Sequence, residues 1–96
     1  MQILAIEREL AAIDLGKHRG ILRQEAARVW VLKKRSVIRD IWFTVADQRA
    51  VLILECRTVG DAKRHLSSLP LVRKRLIDFD VCALRSYDGF DRLLDP

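Results

Sequence analysis

Residues 50–54 read Ala-Val-Leu-Ile-Leu, five apolar side chains in succession within a β-rich run. Side chains of a strand point alternately to the two faces of its sheet, so both faces of this strand need cover. A layer of helices hides one face, and the other needs a second layer. For a chain of 96 residues the least costly second layer is a second copy of the same sheet, related by a twofold axis.

The rest of the chain supplies the helices. A first strand, "QILAIERE", is followed by a loop carrying Gly16 and Gly20. From about Ile21 to Arg35, the residues Ile21, Leu22, Ala26, Val29, Trp30 and Leu32 fall on one half of a helical wheel, with Arg23, Gln24, Arg28 and Lys34 on the other. "IRDIWFTVAD" and "RAVLILECR" read as a β-hairpin joined through Asp47-Gln48. Thr58 opens a second helix, with Asp61 completing a capping box and Pro70 ending or closely following it. A last strand, "LIDFDVCALRSY", precedes the tail "DGFDRLLDP".

The order βαββαβ predicts a single α+β domain of ferredoxin-like type, a four-stranded antiparallel sheet with two helices on one face. In the last strand Ile77, Phe79, Val81 and Ala83 alternate with Asp78, Asp80 and Cys82. One set then packs under the helices, and the carboxylates face the opposite side. The tail residues Tyr87, Phe90, Leu93 and Leu94 are expected to pack across the sheet edge or onto the partner subunit, protecting an exposed strand.

Half of the residues are hydrophobic, enough for a core without metal or disulfide staples. The longest apolar run is too short to span a bilayer and the N-terminus turns charged too early for a secretory signal, so a cytoplasmic location is expected. Cys56 and Cys82 show no metal-ligand or redox spacing, read as small buried hydrophobes, and fall two strand spacings apart in the expected sheet, too far for an intrachain bridge. His18 in a polar loop and His65 near a helix end read as structural. Neither a cofactor nor a metal is implied. The net charge of +5 raises nucleic acid as a partner, but the basic residues of "VLKKRSVIR" and "LVRKR" sit at element ends, with no aromatic interleaving.

Three stretches, "IRDIW", "LSSLPL" and "DFDV", resemble the muconolactone isomerase family of dimeric α/β barrels, and most of all its uncharacterised relatives; the likeness covers about Leu22 to Leu84. It implies a homodimer through the sheet faces and a reaction that shifts a double bond in a small lactone by proton transfer. It further implies Glu25 as base, Arg39 as anchor of a substrate carboxylate and Trp42 as pocket wall. At three family positions the polar residue is missing or changed: a lysine is Leu22 here, a tyrosine is Val51 and a histidine is Lys63. These departures favour a more apolar ligand, or none.

Each candidate has a plainer reading. Glu25 fits an acid in the first turn of a helix, Arg39 a hairpin cap or a partner of Asp40 or Asp78, and Trp42 a core or interface side chain. Asp78 and Asp80 fit rim residues paired with Arg73 to Arg75 or with the partner chain, or an acid and base beside a dry cavity. The functional expectation is a protein that binds a small apolar or carboxylated metabolite, with its isomerisation by proton transfer in view. The alternatives are a non-catalytic dimeric ligand-binding or regulatory module and a basic nucleic-acid-binding protein.

Overall fold

The computed structural model describes residues 1–95. Strands β1 (Gln2–Glu9), β2 (Ile38–Phe43), β3 (Ala50–Glu55) and β4 (Ile77–Ala83) form one sheet in the order β2-β3-β1-β4, with every neighbouring pair antiparallel. Helices α1 (Arg19–Lys34), α2 (Val59–Ser67) and a short α3 (Pro70–Arg73) complete the ferredoxin-like βαββαβ fold, and a 3₁₀ turn spans Gly89–Leu94. Among these residues no helix is long and apolar enough to cross a membrane.

Alternation decides what the sheet buries. Ile3 and Ala5 of β1, Leu52 and Leu54 of β3, and Ile77 and Phe79 of β4 face the helices and are buried with Leu32, Ala62, Leu66, Leu69 and Leu71. The other set, Leu4 and Ile6 of β1, Val51 and Ile53 of β3 and Trp42 of β2, shares the open face, as the pairings Leu4 with Ile53, Ile6 with Val51 and Trp42 with Val51 require. The run 50–54 therefore does carry apolar side chains to both faces, and among the described residues the helices cover only one of them.

Local chemistry fixes the helix ends. Thr58 accepts the Asp61 N–H at 3.0 Å, the first half of the expected capping box, while the Asp61 carboxylate turns to Arg64 instead of closing the second half. Pro70 follows α2 and occupies the first turn of α3, where its missing N–H costs nothing. Helices α1 and α3 end alike: Ser36 (φ 62°) and Arg75 (φ 57°) adopt the left-handed conformation. The next amides then reach back five residues, Val37 to the Leu32 carbonyl and Leu76 to that of Leu71, both at 3.0 Å.

Two tail and cysteine expectations change. Tyr87 and Phe90 stack edge to face on each other at 4.9 Å, but Tyr87, Phe90, Leu93 and Leu94 are 69–82% exposed, so they do not cover their own sheet. Cys56 is half-buried against the core, where burial pushes its thiol pKa up, whereas Cys82 is exposed on the open face opposite Leu4. Strand β1 lies between the two.

Candidate functional site

Helix α1 lies over the helix-facing side of the sheet without sealing it. Leu32 is its one fully buried residue, and between α1, α3 and the sheet opens a cleft of about 890 Å³. Its walls are chiefly apolar: Leu22 and Val29 from α1, Leu52 and Phe79 from the sheet, Leu69 and Leu71 from the α2–α3 corner. Trp30 and Phe43 stand at its mouth, 62% and 68% exposed.

Glu25 projects into this cleft. The helix begins two residues earlier than its periodicity indicates, because Asp14 accepts the N–H groups of Gly16 and Lys17 and His18 accepts that of Asp14, which winds the chain into the turn before Arg19. Glu25 therefore sits in the second turn, and the helix dipole does not account for it. Its Oε1 instead accepts the Leu71 N–H of α3 at 3.0 Å. Burial pushes the carboxyl above its ordinary value, the Leu71 N–H partly offsets this, and the nearby charge of Glu7 pushes it further up.

Glu7 is the residue that sequence reasoning missed. It extends the inward series Ile3, Ala5, pairs with Phe79 across β1–β4 and lines the same cleft. Its Oε1 accepts the Ala50 N–H at 3.2 Å. The signal was present in "QILAIERE", where the alternation that buries Ile3 and Ala5 also turns Glu7 inward.

The remaining candidates lie elsewhere. Trp42 is 65% exposed on the open face, on the other side of the sheet from Glu25, so it is no wall of this cleft. Arg39 occupies a bulge in β2, where pairing slips between Ile38 and Asp40, and its Nε donates to the Ser36 carbonyl at 2.9 Å. It borders a shallow depression with Glu55 and Arg85, and pairs with neither Asp40 nor Asp78. Asp78 and Asp80 meet on the open face around Arg8, at 3.4 and 3.1 Å, rather than around Arg73 to Arg75. Register explains this pairing, since Arg8 stands opposite Asp78 in the β1–β4 ladder.

Of the three departures from the family pattern, Leu22 alone lines the Glu25 cleft. Val51 lies on the open face, and Lys63 borders a groove between α2 and β4. The two basic clusters end α1 and α3, at opposite ends of the sheet, because α1 leads into β2 beside the end of β3 and α3 leads into β4 beside the end of β1.

No protein-family model matches the chain, and no curated protein matches it by sequence. Among solved structures it is similar to 5-chloro-2-hydroxyhydroquinone dehydrochlorinase (TftG) from Burkholderia phenoliruptrix AC1100 in complex with 2,5-dihydroxybenzoquinone, with a TM-score of 0.66 and 15% identity over 86% of this chain and 93% of that one. It is also similar to the crystal structure of muconolactone isomerase, with a TM-score of 0.77 and 16% identity over 93% of each chain. The resemblance carried by three short stretches of sequence thus extends to the tertiary structure of nearly the whole chain, and the fold is that of muconolactone isomerase.

Proposed function

We propose that the protein binds a small apolar metabolite in the cleft between α1 and the sheet, and that Glu25 moves a proton on it. The observation that carries this reading is a carboxylate set in an apolar cavity, hydrogen-bonded to one backbone amide and raised in pKa by burial. A carboxylate raised in this way is a stronger base than an ordinary one and suits taking a proton from carbon. In an isomerisation the ionised Glu25 would remove a proton from a carbon acidified by an adjacent carbonyl, leaving a delocalised enolate. The same carboxyl would return the proton to another carbon, so the double bond moves and the group ends as it began. The two similar structures, one named for a lactone and one holding a quinone, support a small unsaturated ring compound as the ligand class. Arg39 as anchor and Trp42 as wall drop out of this reading because neither reaches the cleft.

The open face supports a homodimer. Leu4, Ile6, Val51 and Ile53 form its apolar centre, Trp42 flanks them on one side, and the Arg8, Asp78 and Asp80 cluster forms the rim. A second copy placed face to face would bury the centre, and the exposed tail of each subunit would lie against the other.

The test is a thermal-shift screen of small lactones, quinones and aromatic acids, run on the wild type and on Glu25→Gln. A ligand at about 100 times its Kd adds about 2.7 kcal/mol, several degrees in a domain of this size. A shift that Glu25→Gln abolishes, followed by turnover lost in the same variant, supports proton transfer. A shift without product supports a ligand-binding module. Sedimentation of Ile53→Asp against the wild type tests the dimer: a monomeric wild type defeats it.

A further inference from the structure

Besides Glu25 the cleft is lined by three carboxylates that the proposed proton transfer does not use, Glu7, Glu9 and Asp47, and of these the charge of Glu7 bears on Glu25. Glu7 reaches the cleft from β1 and Glu25 from α1, so the two enter from opposite layers. Each carboxylate is tied by one oxygen to one backbone amide, Glu7 to Ala50 and Glu25 to Leu71. Among the described residues no ion pair involves either of them. The cleft also contains Lys33, eight residues beyond Glu25 on the same helix face and therefore about 12 Å away along the axis. Its ammonium donates to the Arg39 carbonyl at 2.7 Å. Lys33 thus lies in the last turn of α1, with its ammonium engaged by a backbone carbonyl.

A carboxylate offers acceptors and no donor. With four carboxylates on its walls and only Gln48 and the Trp30 indole as neutral side-chain donors, the cleft repels a substrate carboxylate and suits hydroxyl groups set on an apolar ring. We infer that Glu7 is a specificity-determining residue which, with Glu25, makes this cleft a receptor for a neutral ring bearing two hydroxyl donors and turns away ring carboxylates. This rests on the cleft being the ligand site, as proposed above, and departs from a carboxylate-bearing substrate by naming what the site accepts instead. The flat apolar walls, Leu22 and Val29 above and Leu52 and Phe79 below, take the ring faces, and the two free carboxylate oxygens take the hydroxyls at its edge.

A matched series tests this: resorcinol, its dimethyl ether, which keeps the ring and loses both donors, and benzoate. Binding is read from ¹H–¹⁵N shifts of the wild type and of Glu7→Gln. The expected order in the wild type is resorcinol, then the ether, then benzoate, with the Ala50 and Leu71 amides among those that move, since they donate to the two carboxylates. In Glu7→Gln the preference for resorcinol over benzoate should fall on the order of tenfold, because a hydrogen bond to a charged acceptor is replaced by a neutral one and a repulsion is removed. Equal binding of resorcinol and its ether, or tightest binding of benzoate, overturns the inference while leaving a Glu25-dependent ligand site intact. An unchanged preference in a folded Glu7→Gln overturns the role of Glu7 alone. Should that variant fail to fold, the wild-type order and the Ala50 shift decide the matter. No binding of any of the three, with no response to Glu25→Gln in the wider screen, overturns both readings.

Discussion

Helix α2 presses Ala62 and Leu66 onto the sheet, 0% and 3% exposed, and its first amides are held by Thr58. Helix α1, with 16 residues to the 9 of α2, brings only Leu32 to full burial, has no side-chain cap and leaves a cleft beneath it. Both lie on the same face of one sheet. The difference teaches where a protein this small has room for a ligand: one helix supplies the stable half of the core, and the other is left loosely seated with its carboxylate facing inward. Part of what α1 withholds from the core is made good by α3, whose Leu71 fills the corner and whose backbone holds Glu25.

Truncation on the two helices should separate them most strongly. Leu66→Ala is expected to cost about 2–5 kcal/mol and Leu22→Ala, at the cleft wall, less than about 1.5 kcal/mol, as read from chemical denaturation. Equal losses would mean that α1 is packed as tightly as α2. Adding bulk reverses the logic. Ala62→Leu should overpack a filled core and cost about 1–3 kcal/mol, whereas Ala26→Leu, pointing into the cleft, should leave the melting temperature near that of the wild type and weaken any ligand found there.

The helix starts give a smaller contrast. Thr58→Ala removes a side-chain acceptor from a helix amide and should cost about 1 kcal/mol, or roughly 4–8 °C. His18→Ala should cost a few tenths of a kcal/mol at most, since its ring bonds back to Asp14 and not into the helix. A further effect is electrostatic. The folded state holds the Glu25 proton more tightly than the unfolded chain, so it binds more protons between the two pKa values. Stability from this group is therefore lost as pH rises from about the ordinary 4.5 through the raised folded value. Glu25→Gln keeps an oxygen for the Leu71 amide and should flatten that part of the pH–stability curve, making the variant more stable than the wild type at neutral pH. A curve of unchanged slope would place Glu25 in water.

Much of the architecture was legible in the order of residues, because strand and helix periodicity, Thr58 with Asp61 and the position of Pro70 act locally. The alternation in "IDFDVCA" correctly separated Ile77 and Phe79 from Asp78 and Asp80. The apolar run 50–54 correctly announced a strand with two greasy faces. The candidate site was less legible. Glu25 was found through a family likeness, but its reason for being there, the Leu71 amide, comes from an element 46 residues away. Arg39 and Trp42 follow α1 closely in sequence, and the β-bulge at Arg39 with the pleat at Trp42 turns both away from the cleft.

The sequence alone determined the elements, their order and which side chains share a strand face, since each depends on neighbours a few residues apart. Only the tertiary structure decided which carboxylates meet. Glu7 and Glu25 converge because β1 and α1 are layered face to face, and Arg8 is drawn to Asp78 and Asp80 because β1 and β4 pair in one particular register. Charge and desolvation act through space, and separation along the chain does not measure that distance.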